Sequence, residues 1–139
     1  MAETTVDAAQ LANEYVEIWN DQEFSRLSNV VAESFTFTSP TSGTIQGREA
    51  FEAYAREVVD AFPDFQITVH EMLADEQLVM AEGTLSGTHD GEFNGIPPTH
   101  ETFEVRDMAK FVVEDGRLQE ERAFFDQHDF LGQLGLLEE

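Results

Sequence analysis

The chain has 139 residues, no cysteine, and 29 acidic against 7 basic side chains, a formal net charge of −22. The length fits one domain over residues 1–139, and 41 % hydrophobic residues with twelve Phe provide a core that a disordered acidic tail lacks. Disulfides and thiolate metal sites are excluded, no apolar run reaches the roughly 18 residues of a membrane span, and the charge argues against binding nucleic acid or an anionic membrane.

Thr4 or Thr5 is placed to cap a first helix. Its apolar positions Ala8, Leu11, Ala12, Tyr15, Ile18 and Trp19 recur at the i, i+3, i+4, i+7 spacing of one stripe. After Asn20-Asp21-Gln22, a shorter helix turns Phe24, Leu27, Val30 and Val31 inward. Residues 34–39 alternate aromatic and hydroxyl side chains and predict a strand, which Pro40-Thr41-Ser42-Gly43 turns back toward Thr44-Ile45. Gly47-Arg48-Glu49 opens the clearest helix, with Phe51, Tyr54, Ala55, Val58, Val59 and Phe62 on one stripe and Pro63-Asp64 as its stop.

From Phe65 the period changes to two. Phe65, Ile67 and Val69 alternate with polar residues, Met72 and Leu73 run to a turn, and a further strand extends from Leu78 to His89. A loop rich in glycine and proline, residues 90–99, precedes a strand over residues 102–113. Glu114-Asp115-Gly116-Arg117 then turns the last strand back as a hairpin, and Asp129 to Leu137 reads as a final helix. Helices first and an antiparallel meander after them predict an α+β fold. Its strongly curved, mostly antiparallel sheet would form a cone-shaped barrel closed by the N-terminal helices, and that shape leaves a pocket.

Parity along the last strand gives the first chemical reading. Counting by twos from Leu118 puts Arg122, Phe124, Asp126 and His128 on one face. A carboxyl held against an aromatic ring is desolvated, and its proton affinity rises toward the range useful for acid–base work. The plainer alternative is an aspartate at a strand end that meets solvent. Tyr15, Trp19, Phe35, Phe37, Phe51, Phe62, Phe103 and Phe124 are core residues first, with Tyr15, Trp19 and Phe37 best placed to meet a ligand at the cone's mouth. His70 and His100 read as exposed, and no histidine pair has metal-ligand spacing with a third candidate beside it, so no metal is expected.

The acids punctuate every element instead of gathering on one face. That distribution fits adaptation to a salt-rich cytoplasm better than mimicry of a nucleic acid, because concentrated salt screens the self-repulsion. The opening residues Met1-Ala2-Glu3-Thr4-Thr5 lack the basic and apolar regions of a signal peptide, and a cytoplasmic location is expected.

Residues 87–99, Gly-Thr-His-Asp-Gly-Glu-Phe-Asn-Gly-Ile-Pro-Pro-Thr, resemble the signature loop of the SnoaL-like polyketide (ester) cyclases of the nuclear-transport-factor-two-like superfamily. Tyr15…Trp19-Asn20, Gly47-Arg48-Glu49-Ala50, Ala61-Phe62-Pro63-Asp64, Glu114-Asp115-Gly116-Arg117-Leu118 and Asp126, seven residues before Gln133-Leu134-Gly135, match in the family's order. The resemblance implies a conical α+β barrel, assembled as a homodimer or higher oligomer, and cofactor-free intramolecular aldol cyclisation in members that act as cyclases. It implies Asp126 as the catalytic acid/base, with His89 either facing the ligand or bracing the loop.

Arg122 replaces a family aromatic; it is placed to pair with Asp126 or Glu120, or to orient an acidic substrate. The preceding strand, residues 107–113, lacks the histidine that characterised members use. Two function classes follow. One is a cofactor-free cyclase or isomerase acting on a small hydrophobic carbonyl compound through Asp126 and His89, in a pocket of Tyr15, Trp19, Phe37, Phe51, Phe62, Phe103, Arg122 and Phe124. The other is a non-catalytic module that binds a small apolar ligand or dimerises.

Overall fold

The computed structural model describes residues 7–137. In chain order the elements are α1 (Ala8–Asp21), α2 (Leu27–Val30), β1 (Val31–Ser39), β2 (Gly43–Gln46), α3 (Arg48–Ala61), β3 (Gln66–Ala74), β4 (Leu78–Thr88), β5 (Thr102–Glu114), β6 (Arg117–Phe125) and α4 (Gln127–Gln133). A 3₁₀ turn at Phe24–Arg26 leads into α2. The six strands form one sheet in the order β2-β1-β6-β5-β4-β3. Only β1 and β6 run parallel; every other neighbouring pair is antiparallel.

The expected stripe of α1 is buried residue for residue, from Ala8 to Trp19. Its cap is Asp7, whose carboxylate accepts from the N–H groups of Ala9 (3.0 Å) and Gln10 (3.4 Å). Thr4 and Thr5, the expected caps, lie outside the described residues. Helix α3 buries Phe51, Ala55, Val58 and Val59 as its spacing requires. Strand β1 begins at Val31, earlier than the hydroxyl alternation predicted, because Val31 already pairs with Leu118 on β6. Helix α4 begins at Gln127, two residues before the expected Asp129, because Asp126 caps it.

The sheet bends at three irregularities of register, in β1 between Val31 and Thr36, in β3 between Val69 and Glu71, and where β5 meets β6. An extra residue on one strand increases local twist and kinks it. The sheet is curved but stays open, with β2 and β3 as its edges, so the cone is not a closed barrel. The core lies on the concave side, where inward residues of β1 and β4–β6 meet the buried faces of α1 and α3.

One rung of the concave wall carries only small side chains, and the next carries a glycine. Ala81, Ala109 and Ala123 lie side by side across β4, β5 and β6, and the next rung is Gly83, Asp107 and Phe125. At Gly83 a Cβ would stand 2.4 Å from the Thr68 carbonyl oxygen and 3.2 Å from Asp107 Oδ1. Ala81, Ala109, Ala123 and Gly83 hold open the space between sheet and helices.

Candidate active site

The last strand corrects the sequence reading. Across the β5–β6 ladder Val112 faces Glu120 while Val113 faces Leu118, so Gln119 is an extra residue. One inserted residue inverts the alternation beyond it. Leu118 points inward, and so do Glu121, Ala123 and Phe125; Arg122 and Phe124 point outward. Arg122 donates from Nε to Glu120 Oε2 at 2.8 Å on the outer surface, and Phe124 is 57 % exposed. Asp126 is exposed and caps α4, its Oδ1 accepting from the Asp129 N–H at 3.0 Å. The three residues expected on the pocket face therefore lie outside the cavity.

His89 is fully buried at the base of the 90–101 loop. Its ring stacks on Phe62 at 5.2 Å, and Nδ1 accepts from the Thr99 N–H at 3.3 Å beside the Thr99 hydroxyl at 3.1 Å. With Nδ1 accepting, the proton sits on Nε2, which has no hydrogen-bond partner among the described residues. Burial lowers its pKa and keeps the ring neutral. Of its two expected roles, His89 occupies the loop-bracing position, outside the cavity wall.

The cavity lies between α1, α3 and the concave sheet and encloses about 100 Å³. Tyr15, Trp19, Phe37, Phe62 and Phe103 line it as expected. Phe51 does not; it lies behind the wall, packed on Tyr15, Trp19, Phe35 and Phe37 with ring centroids 5.1–6.0 Å away. Half-buried Ile67, Val69 and Met72 of the edge strand β3 complete the wall.

Two carboxyl groups interrupt this apolar surface, Glu121 from β6 and Asp107 from β5. Glu121 is 6 % exposed, and Tyr15 donates its phenol proton to Glu121 Oε1 at 2.5 Å. Burial pushes the Glu121 pKa up to about 8; the Asp107 charge adds to the rise, and the Tyr15 hydrogen bond opposes it. Burial likewise pushes Asp107 up to about 6, against the opposing effect of His70. Tyr15 is held well above its ordinary value, first by burial and then by Glu121. Near neutrality one carboxyl keeps its proton and the other has lost it, the arrangement that divides acid from base within one site.

Neither group entered the sequence reading as a site. Asp107 had a visible signal, because Phe103, Val105, Asp107, Ala109 and Phe111 alternate without interruption and place its carboxyl on an apolar face. Glu121 had none, since the extra residue at Gln119 hides its parity. Among the described residues no group of three or more His, Asp or Glu side chains is gathered as metal ligands would be.

The family profile of the SnoaL-like polyketide cyclases matches residues 9–134. IdmH of Streptomyces antibioticus, described as a candidate polyketide cyclase, is 27 % identical over 91 % of this chain and 97 % of its own, with a TM-score of 0.78. A candidate SnoaL-like polyketide cyclase from a Jannaschia species superposes with a TM-score of 0.82 at 19 % identity, covering 99 % of both chains. An epoxide hydrolase of the LEH-like type from M. tuberculosis shares the fold at 18 % identity and a TM-score of 0.73, over 91 % of this chain and 88 % of its own. No curated protein matches the chain at a significant level. The profile spans nearly every described element, from α1 to α4, and the chain belongs to the SnoaL-like polyketide cyclase family.

Proposed function

We propose that the protein is a cofactor-independent acid–base enzyme that cyclises or isomerises a small hydrophobic carbonyl compound, with Asp107 as base and Glu121 as acid. The observation that carries this reading is the pair of carboxyl groups, with separated proton affinities, in a cavity walled mainly by aromatic and aliphatic side chains. Ionised Asp107 takes the proton from a carbon beside the substrate carbonyl. Glu121, held through one oxygen by Tyr15, delivers the proton of its other oxygen to the carbonyl oxygen as charge develops there. The enol carbon then attacks a second carbonyl, or is reprotonated elsewhere on the skeleton. As the first C=O re-forms, the enol hydroxyl returns its proton to Glu121, and Asp107 gives its proton to the new alkoxide or carbon. The net change is a rearrangement with both groups restored.

The test is deuterium exchange into 2-indanone, whose α-protons are acidic enough to report the first step alone. Wild type exchanges, and Glu121→Gln and Asp107→Asn each fall by about 10²-fold or more, the usual weight of a positioned acid or base. Exchange at the wild-type rate in both variants would remove the proposal.

A second copy of the chain is the partner that fits the outer sheet face. Leu73, Leu78, Met80, Met108 and Phe124 are exposed there, and Met108 lies directly opposite Phe124. Arg106, Lys110 and Arg122 stand on the same strands among Glu82 and Glu120, so charges of both signs border the apolar patch. Light scattering should give the mass of a dimer for wild type and of a monomer for the double variant Met108→Glu, Phe124→Glu.

A further inference from the structure

The acid–base chemistry leaves one end of the cavity unused. Tyr54 on α3, with Ser39 and Thr41 at the β1–β2 turn, lines it there, and Ser39 is buried. Their hydroxyls belong to a chain with a defined direction. Ser42 donates its hydroxyl proton to the Gly43 carbonyl at 2.8 Å. Ser39 Oγ lies 2.8 Å from Ser42 Oγ, so with the Ser42 proton committed, Ser39 is the donor of that pair. Ser39 accepts in turn from the Ser42 N–H at 3.1 Å and faces the Thr41 hydroxyl at 3.4 Å. Tyr54 lines the same end of the cavity; burial raises its pKa, and the neighbouring hydroxyls of Thr41, Ser39 and Ser42 oppose that rise.

The protons of this chain run from the cavity-lining Ser39 through Ser42 to the Gly43 carbonyl. A phenol and an aliphatic hydroxyl each donate one proton and accept through lone pairs, so Tyr54 and Thr41 offer a ligand both functions at this wall. A group that both donates and accepts matches this end, and an alcohol or phenol does both. Charge narrows the class further. The carboxyls that face the cavity are Asp107 and Glu121, Glu82 borders it from a position turned to the outer face, and no Lys, Arg or His lines it among the described residues. An anionic ligand would meet carboxyl groups in a desolvated space with no counter-ion.

We infer that Tyr54, Thr41 and Ser39 form a subsite for an uncharged hydroxyl of the ligand, and that the substrate class is a neutral ring compound bearing that hydroxyl away from the carbon Asp107 deprotonates. The placement of the carbonyl rests on the acid–base proposal; the hydroxyl subsite and the exclusion of anions do not. Size agrees with a compact ligand, since about 100 Å³ encloses roughly one ring and a second ring would extend past the half-buried side chains of β3.

Calorimetric titration with 2-indanone, 5-hydroxy-2-indanone and 2-oxoindane-5-carboxylate tests this on wild type, Tyr54→Phe and Thr41→Val. The hydroxy compound should bind wild type about fivefold tighter than 2-indanone, the size of one neutral hydrogen bond, with the carboxylate weakest. Tyr54→Phe, which keeps the ring packed 5.6 Å from Phe37, should erase the hydroxyl preference while 2-indanone still binds within about twofold of wild type. Thr41→Val, at the half-buried turn, should reduce the same preference. A carboxylate that binds as tightly as the hydroxy compound overturns the inference, and so does a Tyr54→Phe loss shared equally by both ketones. Failure of all three compounds to bind wild type overturns it as well. Hydroxyl preference without deuterium exchange would remove the acid–base proposal and keep the subsite; exchange without preference would do the reverse.

Discussion

Glu121→Gln separates two consequences of burying a carboxyl beside Tyr15. The first concerns stability. With its pKa near 8 in the fold and near 4.5 when unfolded, Glu121 keeps a proton that the unfolded chain sheds. The folded state binds more protons across that interval, so this group's contribution to stability falls as pH rises from about 4.5 to 8. Glutamine still accepts from Tyr15 and has nothing to ionise. Melting curves should therefore show the variant gaining on wild type between pH 5 and pH 8; an equal difference at both pH values would mean that Glu121 is not held protonated. The second consequence is kinetic. Exchange should rise through about pH 6 as Asp107 ionises and fall through about pH 8 as Glu121 does, a bell whose alkaline limb disappears in Glu121→Gln. Asp126→Asn, which keeps a good helix cap, should leave both stability and exchange within about twofold of wild type.

At the scale of elements, legibility followed regularity. The stripes of α1 and α3 are buried as their spacing dictates, because a helix without proline or glycine inside it cannot change phase. Strand β5 is equally regular, and alternation alone would have placed Asp107 on the concave face. Strand β6 was misread for a single reason. Nothing in Leu118-Gln119-Glu120-Glu121 announces that two consecutive residues share one rung, since the extra residue is set by how β5 and β6 pair and not by local preference. Reading Asp126, Phe124 and Arg122 as inward was the direct result. The hydroxyl cluster was legible only as a turn, because its relation to Tyr54 depends on where α3 crosses the end of β1. The glycine rung gives a test at this scale. Gly83→Ala places its new atom against the Thr68 backbone carbonyl, not a movable side-chain tip, so the β3–β4 ladder must shift. A loss of about 1–3 kcal/mol in chemical denaturation is expected, together with weaker ligand binding; an unchanged midpoint would show that the ladder yields freely.

Over the whole molecule the dominant quantity is the charge of −22. Four arginine–glutamate salt bridges are formed among the described residues, with a His100–Asp90 hydrogen bond beside them, and all involve partly or well exposed side chains that contribute little individually. Most of the acids therefore act as unpaired surface charge, whose mutual repulsion is long-ranged in dilute buffer and confined to about 3 Å at 1 M salt. The expected outcome is a denaturation midpoint that rises steadily from 0.05 M to above 1 M NaCl, with association through the outer face strengthening over the same range. A protein most stable in dilute buffer would contradict the salt-adaptation reading. Composition carried the net charge openly, whereas the apolar outer face emerged only once β3 to β6 were in register.

Trp19 is the chain's only tryptophan, and it stands in the cavity wall 5.2 Å from Phe65, one helical turn along α1 from the Tyr15 that holds Glu121. Ultraviolet emission from this protein comes from one indole at one place. Its colour and intensity should respond to a compound entering the cavity and to Glu121 losing its proton. The molecule thus carries its own optical gauge, and a library of unlabelled compounds can be screened for occupancy before the reaction they undergo has been identified.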